Sequence, residues 1–102
     1  MVFVYITCSS LKEAEHIARA LLKKRLIACT NMFPIKSMFW WKGKITRANE
    51  HIIIAKTMKK NFNKIQSEVR IIHSYDVPCI TLIDTLSNPE FEQWVRRETA
   101  SR

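Results

Sequence analysis

His73, Asp76 and Cys79 bring an imidazole, a carboxylate and a thiol into one short stretch. Imidazole and thiolate suit soft or borderline ions such as copper and zinc, and a carboxylate can complete the shell. The three straddle the end of a helical pattern and Pro78, so the fold must decide whether they converge on one ion. Cys8, at the end of the apolar opening stretch, could join them from elsewhere in the chain. The plainer expectation for Cys29 and Cys79 is that each is a small buried hydrophobe, as free cysteine usually is. A second polar set, Glu50, Lys56, His73 and Tyr75, falls near element ends. Glu50 and Lys56 could form an ion pair. Lys56 could instead meet the charge of an anionic metabolite, with Thr57 hydrogen-bonding beside it. His16 and His51 fall where side chains should face solvent, and neither is given a role.

An enzyme is not expected. The chain has no G-x-S-x-G, no H-E-x-x-H and no Walker-type loop, and its single glycine cannot build a phosphate-cradling turn. A Cys29–His73 nucleophile pair would require the fold to join two distant segments.

The elements that must position these groups are legible from periodicity. The only glycine, Gly43, lies in Phe39-Trp40-Trp41-Lys42-Gly43-Lys44-Ile45, with Ile52-Ile53-Ile54 beyond. This reads as the tip of a β-hairpin, because glycine takes the positive φ that tight turns demand. No Gly or Pro interrupts Lys44 to Thr57, so that arm can run about 45 Å at the usual rise per residue. Val2 to Ile6 reads as a buried first strand. Ser10 and Glu13 form an S-x-x-E capping box before Ala14, Ile17, Ala18, Leu21 and Leu22, which predicts a helix from about Leu11 to Lys24. A second strand is expected from near Leu26 to Trp41, with a bend, bulge or exposed edge at Pro34. Beyond Pro34, Ile35, Phe39 and Trp41 share one face while Met38 and Trp40 share the other, so both faces are apolar. Phe62, Ile65, Val69 and Ile72 predict a second helix from about Lys60 to His73. A fourth strand follows at Cys79 to Ile83, and Asn88-Pro89-Glu90 starts a short terminal helix packed through Phe91, Trp94 and Val95.

The order is β-α-β-β-α-β plus a helix. The expected class is α+β: a ferredoxin-like antiparallel sheet with a long β-hairpin and a short C-terminal helix, one domain over residues 1–102. No apolar run approaches the length of a membrane span. Three cysteines without a C-x-x-C pair argue against a disulfide framework, and a cytoplasmic setting is expected. The net charge of +8 would favour anionic partners, but the basic residues form no single stripe, so nucleic acid is not the expected partner.

Several stretches together resemble the CutA divalent-cation-tolerance family. They are Ala28-Cys29-Thr30-Asn31; Trp40-Trp41-Lys42-Gly43-Lys44-Ile45 with Glu50 and Lys56-Thr57; His73-Ser74-Tyr75-Asp76-Val77-Pro78; and Asn88 with Phe91 and Trp94. The resemblance implies a cytoplasmic homotrimer of PII-like architecture that takes part in tolerance to copper and other divalent metals. It implies a cleft between subunits surrounded by Cys29, Trp41, Glu50, Lys56, Thr57, Tyr75 and Trp94. For members that bind copper it implies a first-strand cysteine and two adjacent histidines. The matching positions here are Ile6, Ile72 and His73, so only His73 carries over. Two other functions remain open for this sequence: a PII-like trimer sensing a small anion, and a ferredoxin-like RNA-binding module. The RNA module would need exposed stacking aromatics on the sheet, whereas the aromatics here gather at the hairpin tip.

Overall fold

The computed structural model describes residues 1–100 and contains four strands and three helices in the expected order. They are β1 (Val2–Cys8), α1 (Leu11–Lys23), β2 (Cys29–Trp41), β3 (Lys44–Thr57), α2 (Phe62–Ile72), β4 (Ile80–Asp84) and α3 (Pro89–Glu98). The strands form one antiparallel sheet in the order β2-β3-β1-β4, the ferredoxin-like arrangement. Strand alternation gives the sheet two faces. Val4, Ile6 and Cys8 of β1 and Ile53 and Ala55 of β3 face α1 and α2, and with Ala14, Ile17, Leu21, Ile65 and Val69 they make the core. Phe3, Tyr5 and Thr7 lie on the opposite face beside Lys56, Ile54 and Ile52.

Leu26 and Ile27 do not start β2, contrary to the periodicity. Arg25 turns left-handed (φ 58), and its N–H and that of Leu26 reach back to Leu22 and Leu21. This is a Schellman closure of α1, and it sends Leu26 into the core. The Leu26 carbonyl then accepts from Thr57 Oγ1 at 2.6 Å and Asn61 Nδ2 at 3.4 Å, so the segment is spent on a buried polar node before the ladder begins. Pro34 causes no break. It pairs with His51 in unbroken register, on a strand whose other side is a sheet edge.

Lys42 (φ 49) and Gly43 (φ 77) form the two-residue turn between the paired Trp41 and Lys44, the type I′ pattern that matches sheet twist. A Cβ on Gly43 would meet nothing within 4 Å. Gly43→Ala should therefore cost about 1–2 kcal/mol from backbone strain alone. Gly43→Asn, tolerant of this conformation, should cost visibly less. Denaturant midpoints of the two variants check this ordering.

β1 pairs with β3 only from His51 to Thr57. From Asn49 outward, β3 has β2 as its sole neighbour, so Lys36–Trp41 and Lys44–Asn49 project as a two-stranded ribbon. Its apolar side chains stand in solvent: Met38 is 65% exposed, Trp40 72%, Trp41 59% and Ile45 63%.

Candidate functional site

The His73 side chain is fully buried where the end of α2 meets the end of β1. Its Nε2 lies 2.7 Å from the Thr7 carbonyl, and its Nδ1 accepts the Tyr75 backbone N–H at 3.0 Å. A carbonyl can only accept, so Nε2 carries the proton and Nδ1 carries the lone pair. Glu13 Oε1 stands 3.9 Å from that Nδ1.

Glu13 occupies the third turn-forming position of α1. Ser10 Oγ accepts its N–H at 3.1 Å, which is half of the expected capping box. The other half is displaced by one residue: Oε1 accepts from Ser9 N at 2.8 Å and Ser9 Oγ at 2.9 Å. Oε2 accepts from Ser74 N at 2.8 Å, tying the start of α1 to the segment after α2. Burial pushes the Glu13 carboxyl up, but the bonds from Ser9 and Ser74 together outweigh it and hold the group at about 2. Cys8 completes the constellation. It is fully buried, and burial followed by the charges of Glu13 and Glu50 pushes its thiol up to about 12.

Cys8, Glu13 and His73 each offer one ligand atom, and these atoms lie within 4.8 Å of one another. Among the described residues this is the one such group of three or more histidine, cysteine or acidic side chains. The sequence-based set therefore needs correcting. His73 belongs to the cluster, but Asp76 and Cys79 do not; both are exposed beyond the helix end, and Cys79 Sγ contacts Thr81 Oγ1 at 3.5 Å. The expectation that Cys29 and Cys79 are buried also fails, since Cys29 is half-buried and Cys79 exposed. Cys29 pairs with Lys56, in the row of Phe3, and the Thr7 carbonyl that holds His73 lies four residues further along β1, about 13 Å away at strand rise. No Cys29–His73 nucleophile pair forms.

The second polar set divides as well. Tyr75 donates its hydroxyl to Glu50 Oε2 at 2.5 Å, and burial followed by that carboxylate raises its phenol above the ordinary value. Lys56 is buried on the same sheet face, where its ammonium bonds Asn31 Oδ1 and lies 5.7 Å from the Phe3 ring centre. Glu50 and Lys56 thus have different partners within the chain. Thr57 cannot assist Lys56, because successive strand residues point to opposite faces and its hydroxyl is committed to the Leu26 carbonyl. Trp41 lies under Lys42 on the ribbon, and Trp94 stacks on Phe91 in α3. His16 is exposed, while His51 is half-buried opposite Cys8.

Residues 2–98 match the family of the CutA1 divalent ion tolerance protein. The chain belongs to the CutA1 family. The divalent-cation tolerance protein CutA of Archaeoglobus fulgidus is 50% identical over 94 residues, covering 91% of this chain and 92% of that one. Human protein CutA is 39% identical over 99 residues, covering 95% of this chain and 55% of the human one. The solved structure of the periplasmic divalent cation tolerance protein CutA from A. fulgidus superposes with a TM-score of 0.96 at 47% identity, covering 98% of this chain and all of that one. The PII-like protein CutA from Nostoc sp. PCC 7120, at 24% identity and a TM-score of 0.90 over 98% of each chain, shares the fold. The sheet order, the ribbon and the loop bearing His73 and Tyr75 are therefore features of a CutA1 chain. No described helix is long and apolar enough to cross a membrane.

Proposed function

We propose that this CutA1 chain acts as a homotrimer in tolerance or response to divalent metal ions, copper among them, binding the ion directly and without catalysis. The observation that carries the assembly is the ribbon. A two-stranded hairpin is marginal alone in water, yet this one holds Met38, Trp40, Trp41 and Ile45 in solvent on both of its faces. Sister subunits would cover it, and its unpaired β2 edge offers them a backbone ladder. The family membership and the Cys8, Glu13 and His73 cluster support the metal role. Three free thiols suit a reducing compartment, and the cytoplasm is the proposed location; fractionation that recovers the protein elsewhere would reverse it. Sedimentation velocity at micromolar concentration is expected to give a trimer, and a monomer refutes the assembly.

Lys56 favours a second reading. It is a buried cation with no carboxylate within 4.0 Å among the described residues, so an intersubunit cleft could seat a small anion there. Calorimetric titration separates the two. Heat from copper or zinc with none from nucleotides supports the metal role, and the reverse supports anion sensing.

A further inference from the structure

We propose that Cys8 Sγ, Glu13 and His73 Nδ1 form a binding site for a divalent cation of borderline softness, with Zn²⁺ as the best match, and that filling it loosens the Tyr75 segment. This rests on the direct metal binding proposed above and assigns it to particular atoms. The three side chains differ in chemistry but already lie together, with ligand atoms within 4.8 Å of one another. His73 is prepared in the way metal-binding histidines usually are. Its Nε2–H is held by a backbone carbonyl, which fixes the ring and leaves Nδ1 unprotonated, 3.9 Å from Glu13 Oε1. Glu13 has its own outer partners, Ser9 and Ser74, and a carboxylate bonded this way can still coordinate. A thiolate, an imidazole and a carboxylate make a three-residue zinc shell with one position left open. Cys8 binds as thiolate, so its proton leaves to solvent as the S–metal bond forms. The Cys8 side is not the family's copper arrangement, whose cysteine position holds Ile6 here.

Occupancy has a consequence written in the hydrogen bonds. The Nδ1 lone pair that would hold the ion now holds the Tyr75 N–H. Binding must release that N–H, and Tyr75 is the residue whose hydroxyl crosses to Glu50 on β3. The ion would thus be sensed at the helix-side end of β1 and reported at the face that carries Glu50. Because linkage is reciprocal, weakening the Tyr75 anchor should tighten the ion.

Metal-free protein titrated with Co²⁺ tests this. The expected result is tetrahedral visible bands with a thiolate-to-cobalt absorption, all displaced by Zn²⁺. Cys8→Ser should abolish the thiolate absorption, whereas Cys29→Ala and Cys79→Ala should keep it. Glu13→Gln should weaken Co²⁺ at least tenfold and carries the test if Cys8→Ser does not fold. Tyr75→Phe should tighten Co²⁺ several-fold. A thiolate band that survives Cys8→Ser, or Co²⁺ affinity unchanged in Glu13→Gln, overturns this site while leaving direct metal binding intact. Tyr75→Phe without effect on affinity overturns the coupling. No Co²⁺ or Zn²⁺ bound at micromolar concentration overturns the site, and the same result with Cu²⁺ overturns direct binding as well.

Discussion

Glu13→Gln should cost the metal-free protein about 2–3 kcal/mol at neutral pH, and the loss should disappear in acid. Three donors converge on this carboxylate: Ser9 N, Ser9 Oγ and Ser74 N. Glutamine keeps one oxygen and replaces the other with an amide NH₂, so at least one donor would face another donor. Hydrogen bonds to a charged acceptor contribute about 1.5–3 kcal/mol each, and the exposure of Ser9 and Ser74 to water keeps the total loss well below the sum of three such bonds. The pH dependence has a definite sign. The carboxyl falls from an ordinary 4.5 to about 2 on folding. The charged form is the one the fold favours, so its contribution is complete above about 4.5 and is lost as pH falls toward about 2. Denaturant midpoints of the two proteins should differ most near neutrality and converge across that acid interval. A gap that stays constant down to pH 2 would remove Glu13 from the role assigned here.

How far the sequence revealed this site depends on which physical rule governed each residue. The Ser10–Glu13 spacing located the start of α1, and the Ala14, Ile17, Leu21 stripe gave its buried face, because both are local and repeat with the helix period. The hairpin was legible for the same reason, since the left-handed turn demanded Gly43. What Glu13 would grip was not legible: its partners Ser9 and Ser74 are 65 residues apart in sequence, and only the packing of α2 beside α1 brings Ser74 to it. His73, Asp76 and Cys79 looked like a ligand set because they are close in sequence, yet the segment after α2 is irregular and carries no period to orient them. His73 turned inward because two backbone groups, Thr7 O and Tyr75 N, captured its ring. A signal for Cys8 did exist. It continues the alternation of Val2, Val4 and Ile6 and so had to face the helices, where His73 ends α2. The same alternation, applied to Lys56 and Thr57, separates them onto opposite faces.

Trp40→Ala combined with Trp41→Ala should cost about 3 kcal/mol or more per chain, lower the unfolding midpoint most at low protein concentration, and shift sedimentation toward smaller species. For a chain that works alone the expectation is far smaller. Both tryptophans are largely exposed, at 72% and 59%, and substitutions at exposed positions usually stay within about 0.5 kcal/mol. Lys42 over Trp41, at 5.6 Å from the ring centre, adds only about 0.5–1 kcal/mol. A lone chain should therefore lose no more than about 1–2 kcal/mol. If a sister subunit buries the ribbon, the removed side chains leave a cavity in a packed interface, and Trp→Ala in packed surroundings costs about 3–5 kcal/mol. Changing both residues avoids having to know which face is covered, since neighbours on a strand point to opposite sides and one of the two must meet the partner. Ile53→Ala serves as the internal reference. Ile53 is fully buried against α1 and α2 within one chain, so its loss should cost about 2–5 kcal/mol by the same cavity argument. When the ribbon variant approaches the core variant in cost, the ribbon is part of a core, and that core is built between subunits. When it costs a quarter as much and leaves sedimentation unchanged, the hairpin is a solvated arm and the trimer must be abandoned.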